Sequence, residues 1–195
     1  MKVTVVFNHP YEGSFCNAIL ESVKKGLQKA GHEIDVIHLD QDKFNPVMTK
    51  EDLLAFRNKK AIDPQSIDYI KRINEAEHLV FIFPIWWELM PALMKGFIDK
   101  VIFPGEWYDY TKSGYGMYPL QKNMKGITVI TTMNTPKIMY KFIYGNAIKK
   151  AFLKGTLKKT GYKNTKWISF NMVKASSTEK RNAWLQKIET KFSTL

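Results

Sequence analysis

Among the 195 residues there is one cysteine, Cys16, so no internal disulfide can form, and a lone thiol fits a reducing, cytoplasmic setting. That cysteine and four scattered histidines give no metal-ligand spacing, so no metal is expected. Long apolar runs are missing too. Leu79–Phe83 is continuous and apolar but far too short to cross a bilayer, and Met1 leads straight into a strand, not a signal peptide, so no membrane insertion is expected. The segment after the first strand, Asn8–Asn17 (NHPYEGSFCN), is neither G-x-G-x-x-G nor a Walker A loop. Helix-turn-helix, zinc-finger and RNA-binding signatures are lacking as well. Acidic residues are scarce, 18 against 30 lysines and arginines, which leaves a net charge of +12. The lysines (Lys24, Lys25, Lys29; Lys149, Lys150, Lys154; Lys158, Lys159) spread along presumed helix faces and form no single arm. They read as a solvated exterior, and no nucleic-acid partner is expected; a basic DNA-binding surface is the competing class, marked by steep salt dependence.

What is present is an alternation of strands and helices. Lys2–Asn8, Ile34–Leu39, Leu79–Phe83, Gly126–Thr132 and Lys166–Met172 read as five strands. Between them, Phe15–Ala30 carries a helical apolar period stopped by Gly31. Helices are also expected near Lys50–Lys59 and over Pro64–Ala76, the latter N-capped by Asp63. Another opens at Pro91, Lys137–Lys159 reads as a helix or helix pair, and the last starts from a capping box, Ser176-x-x-Glu179. Repeated βαβ units imply an α/β fold with a parallel sheet and helices on both faces. No linker or repeat divides the chain, so residues 1–195 read as one domain.

The stretch Leu79–Phe103 organises the rest. A buried strand is followed by Ile85-Trp86-Trp87-Glu88-Leu89-Met90, two tryptophans where loops are normally polar, and then by an amphipathic helix. Ligands of open α/β sheets bind at such strand exits, so Trp86 and Trp87 suggest a platform for a flat ligand; the competing reading is that they only cap the core. At the exit of the first strand, Ser14 stands at a helix start, where free N–H groups of Phe15, Cys16 and Asn17 suit a phosphate. Ser14 serves equally well as a plain N-cap. Cys16 has no neighbouring base in sequence and reads as packed and inert.

P-I-W-W-E-L-M-P-A-L-M-K-G-F-I-D-K-V, residues 84–101, resembles the signature of the NAD(P)H:quinone oxidoreductases of the flavodoxin-like fold. The resemblance is strongest over residues 1–20 and 79–110. It implies a flavodoxin-like three-layer sandwich whose five-stranded parallel sheet has the order 2-1-3-4-5. It also implies FMN, with FAD as the variant, held at His9, Ser14, Phe15, Cys16 and Asn17 by its phosphate. Its ring would lie against Pro84, Ile85, Trp86, Trp87, Thr131, Thr132, Met133 and Asn134, with backbone N–H groups of Ile85–Trp87 facing developing negative charge. Relatives carry Asn where Cys16 stands and Gly-Gly where Met133-Asn134 stand. Tyr140 matches the family's tyrosine beside the flavin, and Tyr144 replaces its histidine; these two are the candidate polar catalytic groups, with an aromatic core as the competing reading. Phe103–Tyr110 resembles a family segment that builds the substrate pocket across a homodimer interface, which makes Trp107 and Tyr108 pocket candidates. The implied activity is hydride transfer from NAD(P)H through flavin to a quinone-like acceptor. Azo-dye or nitro-compound reduction, and a regulatory subunit of a potassium-efflux transporter, are the neighbouring possibilities.

Overall fold

In the computed structural model, which describes residues 1–195, the elements run β1 (Lys2–Phe7), α1 (Phe15–Lys29), β2 (Glu33–His38), α2 (Lys50–Arg57), α3 (Pro64–Asn74), β3 (His78–Pro84) and α4 (Ala92–Val101). They continue with β4 (Tyr108–Tyr110), β5 (Met117–Pro119), β6 (Gly126–Thr132), α5 (Lys137–Phe142), a π-helix (Lys149–Lys158), β7 (Thr165–Phe170) and α6 (Thr178–Phe192). Five parallel strands pair in the order β2-β1-β3-β6-β7, with Val5 opposite both Val36 and Val80. Counting only these strands, the order is the expected 2-1-3-4-5. Every residue of β3 and β6 is buried, as continuous apolar runs in a doubly covered sheet require.

Successive side chains on a strand point to opposite faces, so each strand feeds two cores. Val3, Val5, Phe7, Val80, Ile82 and Ile130 pack under α1 and α6. Val6, Phe81, Phe83 and Val129 pack on the other face under α2–α5 and the π-helix. Phe81 sits edge-on to both Phe97 of α4 and Phe152 of the π-helix, at 6.2 and 5.2 Å between ring centroids. Burying such a side chain contributes about 1.5–3 kcal/mol.

Several local expectations are corrected. The final helix is capped by Ser177, whose Oγ accepts from Lys180 N–H; Ser176 instead donates its hydroxyl to Met172 O. A reciprocal capping box occurs at α2, between Thr49 and Asp52. The fifth parallel strand ends at Phe170, because Met172 turns into left-handed backbone at φ 57°. The 137–159 segment is a pair, and its second member is π-wound. The antiparallel ribbon β4–β5 had no signal in the sequence, since its strands are three residues each. The ribbon folds back on the body, so Trp107 is fully buried and stacks on Tyr162 at 4.3 Å instead of forming a surface cluster.

Candidate functional site

Because the five strands are parallel, the exits of β1, β3 and β6 lie on one edge of the sheet. They enclose a hollow of about 260 Å³ lined by His9, Phe15, Pro84, Ile85, Trp86, Thr132, Met133 and Asn134, with Val173 and Lys174 from the loop after β7. No carboxylate lines it.

The β1–α1 loop is pinned by Asn8, whose N–H reaches Ile82 O and whose amide donates to Asp40. Asn8 Oδ1 is buried without a partner. Ser14 has extended backbone and its Oγ accepts from Asn17 N–H at 3.1 Å, so the N-cap role is real. The N–H groups of Phe15 and Cys16 have no acceptor in the protein, which leaves two free donors at a positive helix end. His9 Nδ1 accepts from Tyr11 N–H, which places the ring proton of the neutral form on Nε2. Burial, against the opposing pull of Asp40, lowers its pKa and keeps it neutral. Phe15 packs edge-on to Phe170 of β7, and the side chain of Asn17 makes no hydrogen bond. Cys16 is buried with Sγ 3.1 Å from Thr132 Oγ1, and burial pushes its thiol up to about 12, so it is no nucleophile at neutral pH.

The β3–α4 loop is a tight reversal in which Trp86 and Leu89 exchange backbone hydrogen bonds of 2.9 and 3.1 Å. Its two central residues, Trp87 and Glu88, have φ values of 50° and 64°, the mirror-turn geometry that usually takes glycine or asparagine. Such backbone costs about 1–3 kcal/mol per residue and persists where neighbours over-determine it. Here Glu88 is held twice: its carboxylate accepts from Thr135 Oγ1 at 2.6 Å and its carbonyl from Tyr140 Oη at 3.0 Å. The turn lifts Trp87 to 98 % exposure and leaves Trp86 half exposed on the hollow. The expected row of free amides is reduced. Ile85 N–H donates to Thr132 O and Trp86 N–H to Leu89 O, so only Trp87 N–H is available.

The β6–α5 loop reaches the rim without glycine. No residue from Thr131 to Pro136 has positive φ. Met133 N–H donates to Phe170 O, and Asn134 Oδ1 accepts from Lys174 N–H at 2.9 Å. Met133 is thereby buried as part of the wall, and Thr131 Oγ1 accepts from Trp167 Nε1–H.

Tyr140 is buried, and its hydroxyl is spent at both ends, donating to Glu88 O and accepting from Ile148 N–H. Burial raises its pKa. It ties the strained turn to the π-helix. Tyr144 lies half exposed after α5 with no side-chain hydrogen bond. Trp107 and Tyr108 are buried and line no part of the hollow. Sequence reasoning missed Val173 and Lys174; the signal was there in principle, since the fifth parallel strand must exit on the same edge. Together these groups offer a flat apolar wall, two free amides at a helix start and one cation, a combination suited to a planar ring bearing a phosphate.

Compared with known proteins, residues 1–192 match the family model described as "Flavodoxin-like fold". A curated relative, NAD(P)H dehydrogenase [quinone] 1 of Cavia porcellus, is 29% identical over 182 residues, covering 83% of this chain. The chain spans 65% of that relative's length. Among solved structures, the Smu.1420 protein of Streptococcus mutans UA159 superposes with a TM-score of 0.87 at 31% identity, covering all of both chains. An FMN-dependent NADH-azoreductase of Bacillus anthracis, solved in complex with FMN, has the same fold at 15% identity, with a TM-score of 0.80 and coverage of 100% and 99%.

Proposed function

The chain belongs to the flavodoxin-like fold family, and from that membership we propose that its rim binds FMN and that it is an NAD(P)H:quinone oxidoreductase. The observation that carries this reading is that the start of α1, where the Phe15 and Cys16 amides are free, meets the Trp86 wall through Phe15 at one acid-free hollow. Likeness to a quinone dehydrogenase over most of the chain supports it.

Bound flavin would supply the electron chemistry, taking hydride from NAD(P)H and passing it to a quinone-like acceptor. The protein's share is placement and charge. Ser14 holds the helix start in the conformation that leaves the Phe15 and Cys16 amides free, and His9 Nε2–H adds a neutral donor. Ile85, Trp86 and Met133 offer the ring an apolar face. Trp87 N–H is the free backbone donor of the Ile85–Trp87 stretch left to meet negative charge, and Lys174 adds a cation to the lining. Tyr140 positions this turn, and Tyr144 has a free phenol to offer an acceptor. No protein nucleophile is required.

The hollow is slightly smaller than the ~300–1,000 Å³ of typical ligand pockets. Exposed Trp87, Leu89, Ile138, Phe142 and Ile143 belong to the β3–α4 turn and α5, which the Tyr140–Glu88 bond ties together. An apolar surface of this kind suits a second copy of the chain, and we read it as a homodimer contact that completes the pocket. Anaerobic mixing of the FMN-loaded protein with NADH or NADPH should bleach the flavin band, and a quinone should restore it. Persistence of colour with both donors would remove the oxidoreductase reading. The same sample should sediment as a dimer; a monomer would remove the shared pocket.

A further inference from the structure

A cavity larger than the rim hollow lies elsewhere. A cleft of about 440 Å³ lies between the edge strand β7, α5 and the π-helix, and shares no lining residue with the rim hollow. Five lysines line it, Lys137, Lys141, Lys149, Lys154 and Lys158, and no carboxylate does. None of the five forms a salt bridge, although seven other lysines of the chain do: Lys2, Lys24, Lys29, Lys59, Lys95, Lys100 and Lys125. Ammonium groups crowded around one cavity without a counter-charge repel one another, a cost that an anionic ligand would offset.

The helix winding makes this cluster. At 3.6 residues per turn, Lys149 and Lys154 would point about 140° apart. Bonds that close over five residues, as from Lys159 N–H to Lys154 O, bring side chains five apart onto one side. Lys149, Lys154 and Lys158 therefore share the face turned to β7. Stretches of π-helix are rare and concentrate at functional sites. Across the cleft, β7 presents Thr165, Trp167 and Ser169, alternate residues on one face, and Asn171 follows just after its end. Thr165 Oγ1 is buried with no hydrogen-bond partner, a second mark of an unsatisfied site.

We propose that this cleft is a binding site for a small anion carrying two or more linked phosphates, such as a nucleoside triphosphate. Its volume lies within the range of small-molecule sites, and its concavity favours a compact ligand over a nucleic-acid duplex. The lysines supply charge and donors; from the strand side the unpartnered Thr165 hydroxyl and the second amide N–H of Asn171 can donate, while the Ser169 hydroxyl is already given to Asn171 Oδ1.

The test is calorimetric titration of the FMN-loaded full chain with ATP and, separately, with inorganic triphosphate. Saturable binding of either is expected, and ATP binding more tightly would extend recognition to the nucleoside. Lys149→Glu/Lys154→Glu should weaken both by about tenfold or more, as loss of charge-assisted bonds requires, with FMN affinity unchanged. If circular dichroism shows that variant misfolded, Lys149→Gln/Lys154→Gln carries the same comparison. Absence of saturable binding, or binding that neither variant weakens, would overturn the proposal. So would duplex DNA binding in the absence of triphosphate binding, which would assign the face to nucleic acid. Because FMN is titrated independently, failure here leaves the rim reading standing, and failure at the rim leaves this one.

Discussion

Ser14 shows two roles meeting in one side chain. Its Oγ caps α1 by accepting from Asn17 N–H, while the amides of Phe15 and Cys16 beside it stay unbonded. Aspartate is as good an N-cap as serine, so Ser14→Asp should keep the fold and place a negative charge against a phosphate. We expect FMN affinity to fall about tenfold or more with an unchanged melting temperature, because a lost charge-assisted contact costs at least that much. Equal FMN affinity, measured by equilibrium titration, would take Ser14 out of the site. His78 is a separate residue-scale case. It is buried in β3 with Nε2 3.0 Å from Thr128 Oγ1, and burial, with Lys166, His32 and Lys191 adding, pushes its pKa down to about 4. In the unfolded chain it titrates near 6.5. Between those values the unfolded state takes a proton that the folded state refuses. Stability from this group is thus complete above about pH 6.5 and lost as pH falls toward 4, by about 3 kcal/mol in order of magnitude. His78→Gln should flatten the acid limb of the stability curve from pH 7 to 4; an unaltered limb would show that His78 does not carry it.

Elements explain what the sequence let one read and what it hid. Strand and helix periods are local, so β1, β3, β6, α1 and α3 could be placed within a residue or two, and so could the caps Ser14 and Asp63. The mirror turn at Trp87–Glu88 could not, because those residue types disfavour positive φ and are held there by Thr135 and Tyr140 from a distant part of the chain. Burial of Trp107 was hidden for the same reason: its stacking partner, Tyr162, is 55 positions away. The π-winding of 149–158 likewise leaves no trace in a short apolar period. Packing between elements also sets a prediction. A Cβ on Gly96 of α4 would lie 2.2 Å from Cβ of Pro46 and 2.5 Å from its carbonyl oxygen. Backbone cannot yield as a side-chain tip would, so Gly96→Ala should cost about 1–3 kcal/mol despite its better helix propensity. Denaturant unfolding would show this as a lower midpoint; a gain in stability would mean that the loop at Pro46 gives way.

At the scale of the whole molecule, a parallel sheet collects five strand exits on one edge, four of them at the hollow, and chemistry can accumulate there without any one loop carrying a complete motif. The loops after β1, β3 and β6, which the sequence singles out, do line one hollow. The fourth, with Val173 and Lys174, emerges only when the sheet is assembled, as Asn134 Oδ1 receives Lys174 N–H. The five-lysine cleft is also a property of assembly, since Lys137 and Lys158 are adjacent only across the α5–π-helix pair. The most direct trial of the rim is a titration of the FMN-free protein with FMN, followed by quenching of tryptophan fluorescence with Trp86 as the wall. We expect saturation at one FMN per chain, with the quench diminished in Trp86→Phe. A chain whose fluorescence and calorimetric signal ignore both FMN and FAD would contradict a flavin site at this edge.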